Sequence, residues 1–127
     1  MPDIERRDYS ELPAPGGAFH HSVRWGNLLF ICGNTARGTS AEKGDAAAQT
    51  EAILRKMQHI LEANGGSLKN VVKVTSFVTD LREGPEIGEV RRRMFDGAYP
   101  ASTQVQVAAL GTPDLKIEIE AIAVLPD

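Results

Sequence analysis

With 127 residues, 42% of them hydrophobic and 24% charged, the chain has the size and composition of one globular domain with a substantial core. A net charge of −3 and a pI near 5.6 argue against electrostatic binding to nucleic acid or an anionic membrane. No window reaches the roughly 18 apolar residues of a membrane-spanning helix, and the single cysteine, Cys32, excludes an internal disulfide framework and fits a reducing compartment.

In chain order, residues 1–17 are rich in Pro and Gly and read as a linker-like extended segment without the apolar run of a secretion signal, so a cytoplasmic location is expected. Apolar runs on either side of Gly26-Asn27 predict a hairpin with a tight turn. Residues 34–45 lack periodicity and read as a loop. From Ala46 to Ala63, the residues Ile53, Leu54, Met57, Ile60 and Leu61 recur on one stripe, which predicts a helix stopped by Asn64-Gly65-Gly66. The β-branched run Val71 to Thr79 predicts a strand. Pro85 suits the first turn of a second helix ending near Phe95, with Ile87, Val90 and Met94 on one side. Tyr99–Leu110 and Leu115–Val124 then read as a closing β-hairpin.

The order β-β-α-β-α-β-β in residues 1–127 predicts an α+β domain: a mixed β-sheet of about five or six strands with both helices on one face. On the last strand, Leu115, Ile117, Ile119, Ala121 and Ala123 point one way; Lys116, Glu118, Glu120, Ile122 and Val124 point the other. Val72, Val74 and Val78 share a face with Ser76. A second face that is half apolar and not covered by its own chain predicts a closed homo-oligomer. Arg91, Arg92 and Arg93 follow Glu83, Glu86 and Glu89, a pattern of a solvated, self-compensating helix face. His20 and His21 point to opposite faces of a strand and His59 lies on the polar side of the first helix, so no metal site is expected. With no GxGxxG, P-loop or CxxC, no cofactor is expected either.

The segments GNLLFICG (26–33), VVKVTSFVTDL (71–81), YPA (99–101) with VQVAAL, and EIEAIA (118–123) stand in an order that resembles the Rid family, also called YjgF or endoribonuclease L-PSP. The resemblance spans nearly the whole chain. It implies a chorismate-mutase-like fold, a homotrimer whose sheets form a central barrel, and small-molecule clefts between subunits. Members hydrolyse 2-enamines and 2-imines to 2-oxo acids and ammonia. Carried over position by position, the family's glutamate falls on Glu118, its pocket tyrosine on Phe19, a strand serine on Cys32 and a helix asparagine on Gly88. The arginine that grips the substrate carboxylate falls on Ser102, and the small or cysteine residue two positions on falls on Gln104.

Hydrolysis of such an imine requires a held substrate, a proton donor and a positioned water. Glu118 is the candidate acid/base, its pKa raised by a wall of Ile122 and Val124; as an ion-paired interface carboxylate it would have no such role. Cys32 is a buried small residue, a reactive thiol or a part of the cleft lining. Serine in place of the arginine removes a two-pronged, charge-assisted grip and costs roughly 10²-fold in binding a small 2-imino acid, unless Arg24, Arg37, Arg82 or Lys116 replaces it. The resulting expectation is a cofactor-free hydrolase or deaminase of a related small reactive metabolite. A non-catalytic metabolite-binding or interaction trimer is the alternative. The family's ribonuclease label fits an acidic chain poorly.

Overall fold

The computed structural model describes residues 2–127. Strands β1 (Ile4–Arg7), β2 (Ser22–Trp25) and β3 (Leu28–Asn34) are followed by helix α1 (Ala46–Ala63), strand β4 (Val71–Val78), helix α2 (Gly84–Phe95) and strands β5 (Ala101–Gln106) and β6 (Ile117–Val124). The strands form one mixed sheet, ordered β1-β2-β3-β6-β4-β5. It is the expected α+β architecture, a mixed sheet with both helices packed on one face.

Local chemistry sets the elements where the sequence indicates. Gly26 takes φ +60° at the first turn position between β2 and β3, a conformation glycine adopts without a Cβ penalty. The Asp45 side chain accepts the Ala48 N–H at 2.8 Å and caps α1. At the other end, Gly66 N–H reaches Leu61 O at 2.8 Å and Gly65 N–H reaches Glu62 O at 3.1 Å, a Schellman stop with Gly65 at φ +81°. Ile53, Leu54, Met57, Ile60 and Leu61 of α1 are fully buried and pack with Ile87, Val90 and Phe95 of α2 against the sheet.

Three expectations are corrected. The closing hairpin does not form: β5 pairs in parallel with β4, Ser102 opposite Val74, and β6 runs antiparallel between β3 and β4. The α2 crossover between β4 and β5 makes that parallel pairing possible, and residues 107–116 carry the chain back to the sheet centre. The linker-like start supplies β1, paired with β2 from Ile4↔Trp25 to Arg7↔Ser22. Its four residues are all exposed, so no burial period marks them in the sequence. Finally, a register shift between Val71 and Lys73 turns Val72 away from Val74, Ser76 and Val78. Those three are buried beneath the helices, whereas Val72 is 46% exposed.

The faces of β6 are as the alternation requires. Ile117, Ile119, Ala121 and Ala123 are buried against the helices. On the opposite face, Ile122 pairs with Phe30, and Val124 lies beside Leu28. Phe30, Trp25, Val72 and Val124 are exposed there, an uncovered apolar surface.

Candidate functional site

Glu118 stands on β6 opposite Phe77, on the helix-free face. Beside it the β3–β6 ladder breaks register between Ile31 and Asn34, which frees Cys32 and Gly33 from regular pairing. The Glu118 carboxylate fills the space this opens: a Cβ on Gly33 would overlap its Oε2. Among the described residues the carboxylate has no hydrogen-bond or ion-pair partner. Burial first, and the negative charge of Glu120 second, push its pKa above the usual glutamate value.

Around this carboxylate lies a cavity of about 320 Å³. Phe19 with Pro13, Pro15 and Gly16, the stretch Cys32 to Thr35, and Arg37, Lys56 and Leu115 line it. Lys56 is almost wholly buried; its Nζ donates to Thr35 O at 2.7 Å and Arg37 O at 2.8 Å, and so fixes the loop after β3. Its desolvation lowers its pKa. The Cys32 thiol is raised by burial and by Glu118, which keeps it protonated and a poor nucleophile.

A buried histidine holds the proline-rich wall. His21 Nδ1 accepts the Tyr9 N–H at 2.9 Å, which leaves Nε2 to donate to Pro13 O at 2.9 Å. Tyr9 Oη in turn bonds Ser22 Oγ and receives Asn64 Nδ2, each at 2.8 Å, tying the segment to the end of α1. His20 contacts Asp8 and His59 contacts Glu11 at the surface. Among the described residues no three metal-ligating side chains converge.

The remaining expected site residues lie elsewhere. Ser102 and Gln104 pair with Val74 and Ser76, so they face the helices, two strands from β6 at the β5 edge. Gly88 is on α2. Arg91 of α2 donates from Nη2 to Ser102 Oγ at 3.0 Å. One chain therefore brings Phe19, Cys32 and Glu118 together and leaves Ser102, Gln104 and Gly88 on the opposite side of the sheet.

Of the cations considered from sequence, Arg82 is forked onto Asp80 and Lys116 sits 3.8 Å from Glu83. Arg24 bonds Gly26 O, and only Arg37 reaches the Glu118 cavity. Lys56 was not among them, and Arg91, expected on a solvated self-compensating helix face, is instead half-buried against Ser102. Lys56 had a readable signal, since it falls inside the apolar stripe of α1 between Ile53 and Ile60. Arg91 had none, because the Glu-rich approach to the triplet explains all three arginines equally.

The sequence profile described as Endoribonuclease L-PSP matches residues 10–125. A RutC family protein of Pyrococcus horikoshii is 38% identical over 114 residues, which are 87% of this chain and 90% of that protein. The 2-iminobutanoate/2-iminopropanoate deaminase of Dermatophagoides farinae is 28% identical over 89% of this chain and 90% of its own. Among solved structures, Escherichia coli TdcF with bound serine superposes with a TM-score of 0.85 at 32% identity, covering 96% of this chain and 99% of TdcF.

Proposed function

Since this chain belongs to the Rid (YjgF, endoribonuclease L-PSP) family, we propose that it is a cofactor-free deaminase that hydrolyses a small enamine or imine in a cleft between copies of itself. The observation that carries this reading is the unpartnered, part-buried Glu118 carboxylate at the wall of a cavity sized for a small metabolite. Glu118 takes a proton from the water that attacks the imine carbon. It returns that proton to the imine nitrogen to give a neutral carbinolamine, then moves the carbinolamine's hydroxyl proton to the amino nitrogen as the C–N bond breaks, which leaves a carbonyl compound and ammonia. Phe19 and Cys32 line the substrate's apolar side.

The split between the two clusters supports assembly. Glu118 and Ser102 lie on opposite faces, two strands apart at roughly 5 Å per strand, so one chain does not enclose a substrate with both. A closed trimer that packs the apolar faces of neighbouring sheets together sets the β5 edge of one copy beside the Glu118 cavity of the next. Ser102, Gln104 and Gly88 then complete the cleft.

The test is an imine-trapping assay. An amino-acid oxidase generates 2-iminobutyrate or 2-iminopropionate in the presence of semicarbazide, and the protein is expected to lower semicarbazone formation in proportion to its concentration. No acceleration by the assembled protein, together with ligand binding at the cavity, would overturn the enzymatic reading. It would favour a metabolite-binding trimer, which the loss of a phenolic hydroxyl at Phe19 already makes the second candidate.

A further inference from the structure

We infer that Arg91 is the cation that binds a substrate carboxylate in this protein, reaching the Ser102 position from α2 instead of from β5. The inference rests on the cleft proposed above and names its substrate class: small 2-imino or 2-enamino acids, not neutral imines.

The three consecutive arginines of α2 differ in their partners. Arg92 Nη1 lies 3.2 Å from Glu89, and Arg93 Nη2 lies 2.6 Å from Glu51, both on exposed ground. Arg91 is half-buried and has no carboxylate partner among the described residues; its guanidinium donates to the Ser102 hydroxyl alone. Burial draws its pKa below the usual guanidinium value, yet an arginine remains charged near neutral pH. A desolvated charge without a counter-charge is costly, and an incoming anion offsets that cost.

The surroundings fit such an anion. One N–H of the guanidinium is spent on Ser102, and the others remain for the two oxygens of a carboxylate. Ser102 accepts from Arg91, so its hydroxyl hydrogen is also free to donate. One turn before Arg91, Gly88 carries no side chain, and a Cβ there would meet only Arg92 Nη2, at 3.9 Å. The helix surface beside Arg91 is therefore open. The Gln104 amide lies on the same side, within 3.9 Å of where a Cβ on Gly84 would stand. An arginine at position 102 would repel Arg91 and occupy its landing place. The small Ser102 and the long Arg91 thus form an exchange: the charge is kept and its anchor moves by one structural element.

The experiment measures 2-oxobutyrate binding by calorimetry, with 2-butanone as the analogue lacking the carboxylate. It compares wild type, Arg91→Gln, Arg91→Lys and the double variant Arg91→Ser/Ser102→Arg, each checked for helix content and assembly state. Wild type is expected to bind 2-oxobutyrate and not 2-butanone. Arg91→Gln should weaken that binding roughly 10- to 100-fold, Arg91→Lys should fall between, and the double variant should recover it. Equal binding by wild type and Arg91→Gln, or no binding by wild type, overturns the inference. The imine assay separates this from the hydrolase reading. Arg91-dependent binding without turnover supports Arg91 and sinks the hydrolase, whereas equal turnover by wild type and Arg91→Gln does the reverse.

Discussion

Gly33 and Glu118 compete for one volume: the carboxylate of the second lies where the side chain of any other residue at the first would begin. The bulge in β3 supplies the room, and the missing Cβ keeps it. Gly33→Ala is therefore expected to fold and assemble, but to push the Glu118 carboxylate out of line. A displacement of about 1 Å costs roughly 10²-fold in rate when a reacting group is misplaced. Imine turnover with a melting curve on the same samples checks it, and unchanged turnover would remove Gly33 from the site.

Glu118→Gln should lose roughly 10²- to 10⁴-fold in turnover, the range for a general acid–base group, while gaining stability. The sign follows from the raised pKa. A carboxyl held above its unfolded value favours the folded state below the unfolded pKa, and that contribution is lost as pH rises through the folded pKa. The variant should thus melt above wild type at neutral pH, and the gap should close on acidification through the glutamate range. The acid limb of the wild-type kcat/KM profile should lie above the ordinary glutamate value.

Gln49 is fully buried in α1 and clamps two loops at once. Its Nε2 donates to Glu42 O, Gly44 O and Asp114 O, and its Oε1 accepts the Lys116 N–H at 2.8 Å. Gln49→Ala leaves buried backbone groups unpaired and should cost about 3 kcal/mol, read by denaturant unfolding.

Ser76 offers the opposite case. It is fully buried and its hydroxyl has no partner among the described residues. Removing an unsatisfied polar atom is neutral or favourable, so Ser76→Ala should match or exceed wild-type stability by up to about 1 kcal/mol in the same unfolding experiment.

Phe30 pairs with Ile122 on the uncovered face and is 42% exposed. If that face is the assembly interface, Phe30→Glu should lower the mass found by sedimentation and abolish turnover together, because the two halves of the cleft part. A variant that keeps its mass would place the interface elsewhere.

How far the sequence spoke depended on whether the signal was local. Both helices, the Gly26 turn, the Schellman stop and the two faces of β6 follow from spacing and from residue type over a few positions. Pairing partners do not: VQVAAL and LKIEIEAIAV flank a turn as hairpin strands do, and nothing local says that β6 leaves its neighbour to lie between β3 and β4. The site divides the same way. Glu118 was marked by a carboxylate among β-branched residues, and Phe19 and Cys32 do join it in one cavity. Ser102 carries no charge of its own, and the guanidinium resting on it comes from another element, eleven positions back in the chain, which only the packing of α2 on the β5 edge reveals.

The position of β6 bears on how this protein reaches its fold. It is the last of the six strands along the chain, yet it occupies the middle of the sheet and bridges β1-β2-β3 to β4-β5. Until it emerges, those two groups share no ladder, and Leu29, Ile31, Val74 and Val78 have no β6 partner beside them. Completion must wait for contacts of long sequence separation, which slows folding and prolongs exposure of unpaired edges. A nascent chain stalled before Ile117 would hold two half-sheets with sticky borders, a species suited to chaperone capture or to pairing with the wrong copy.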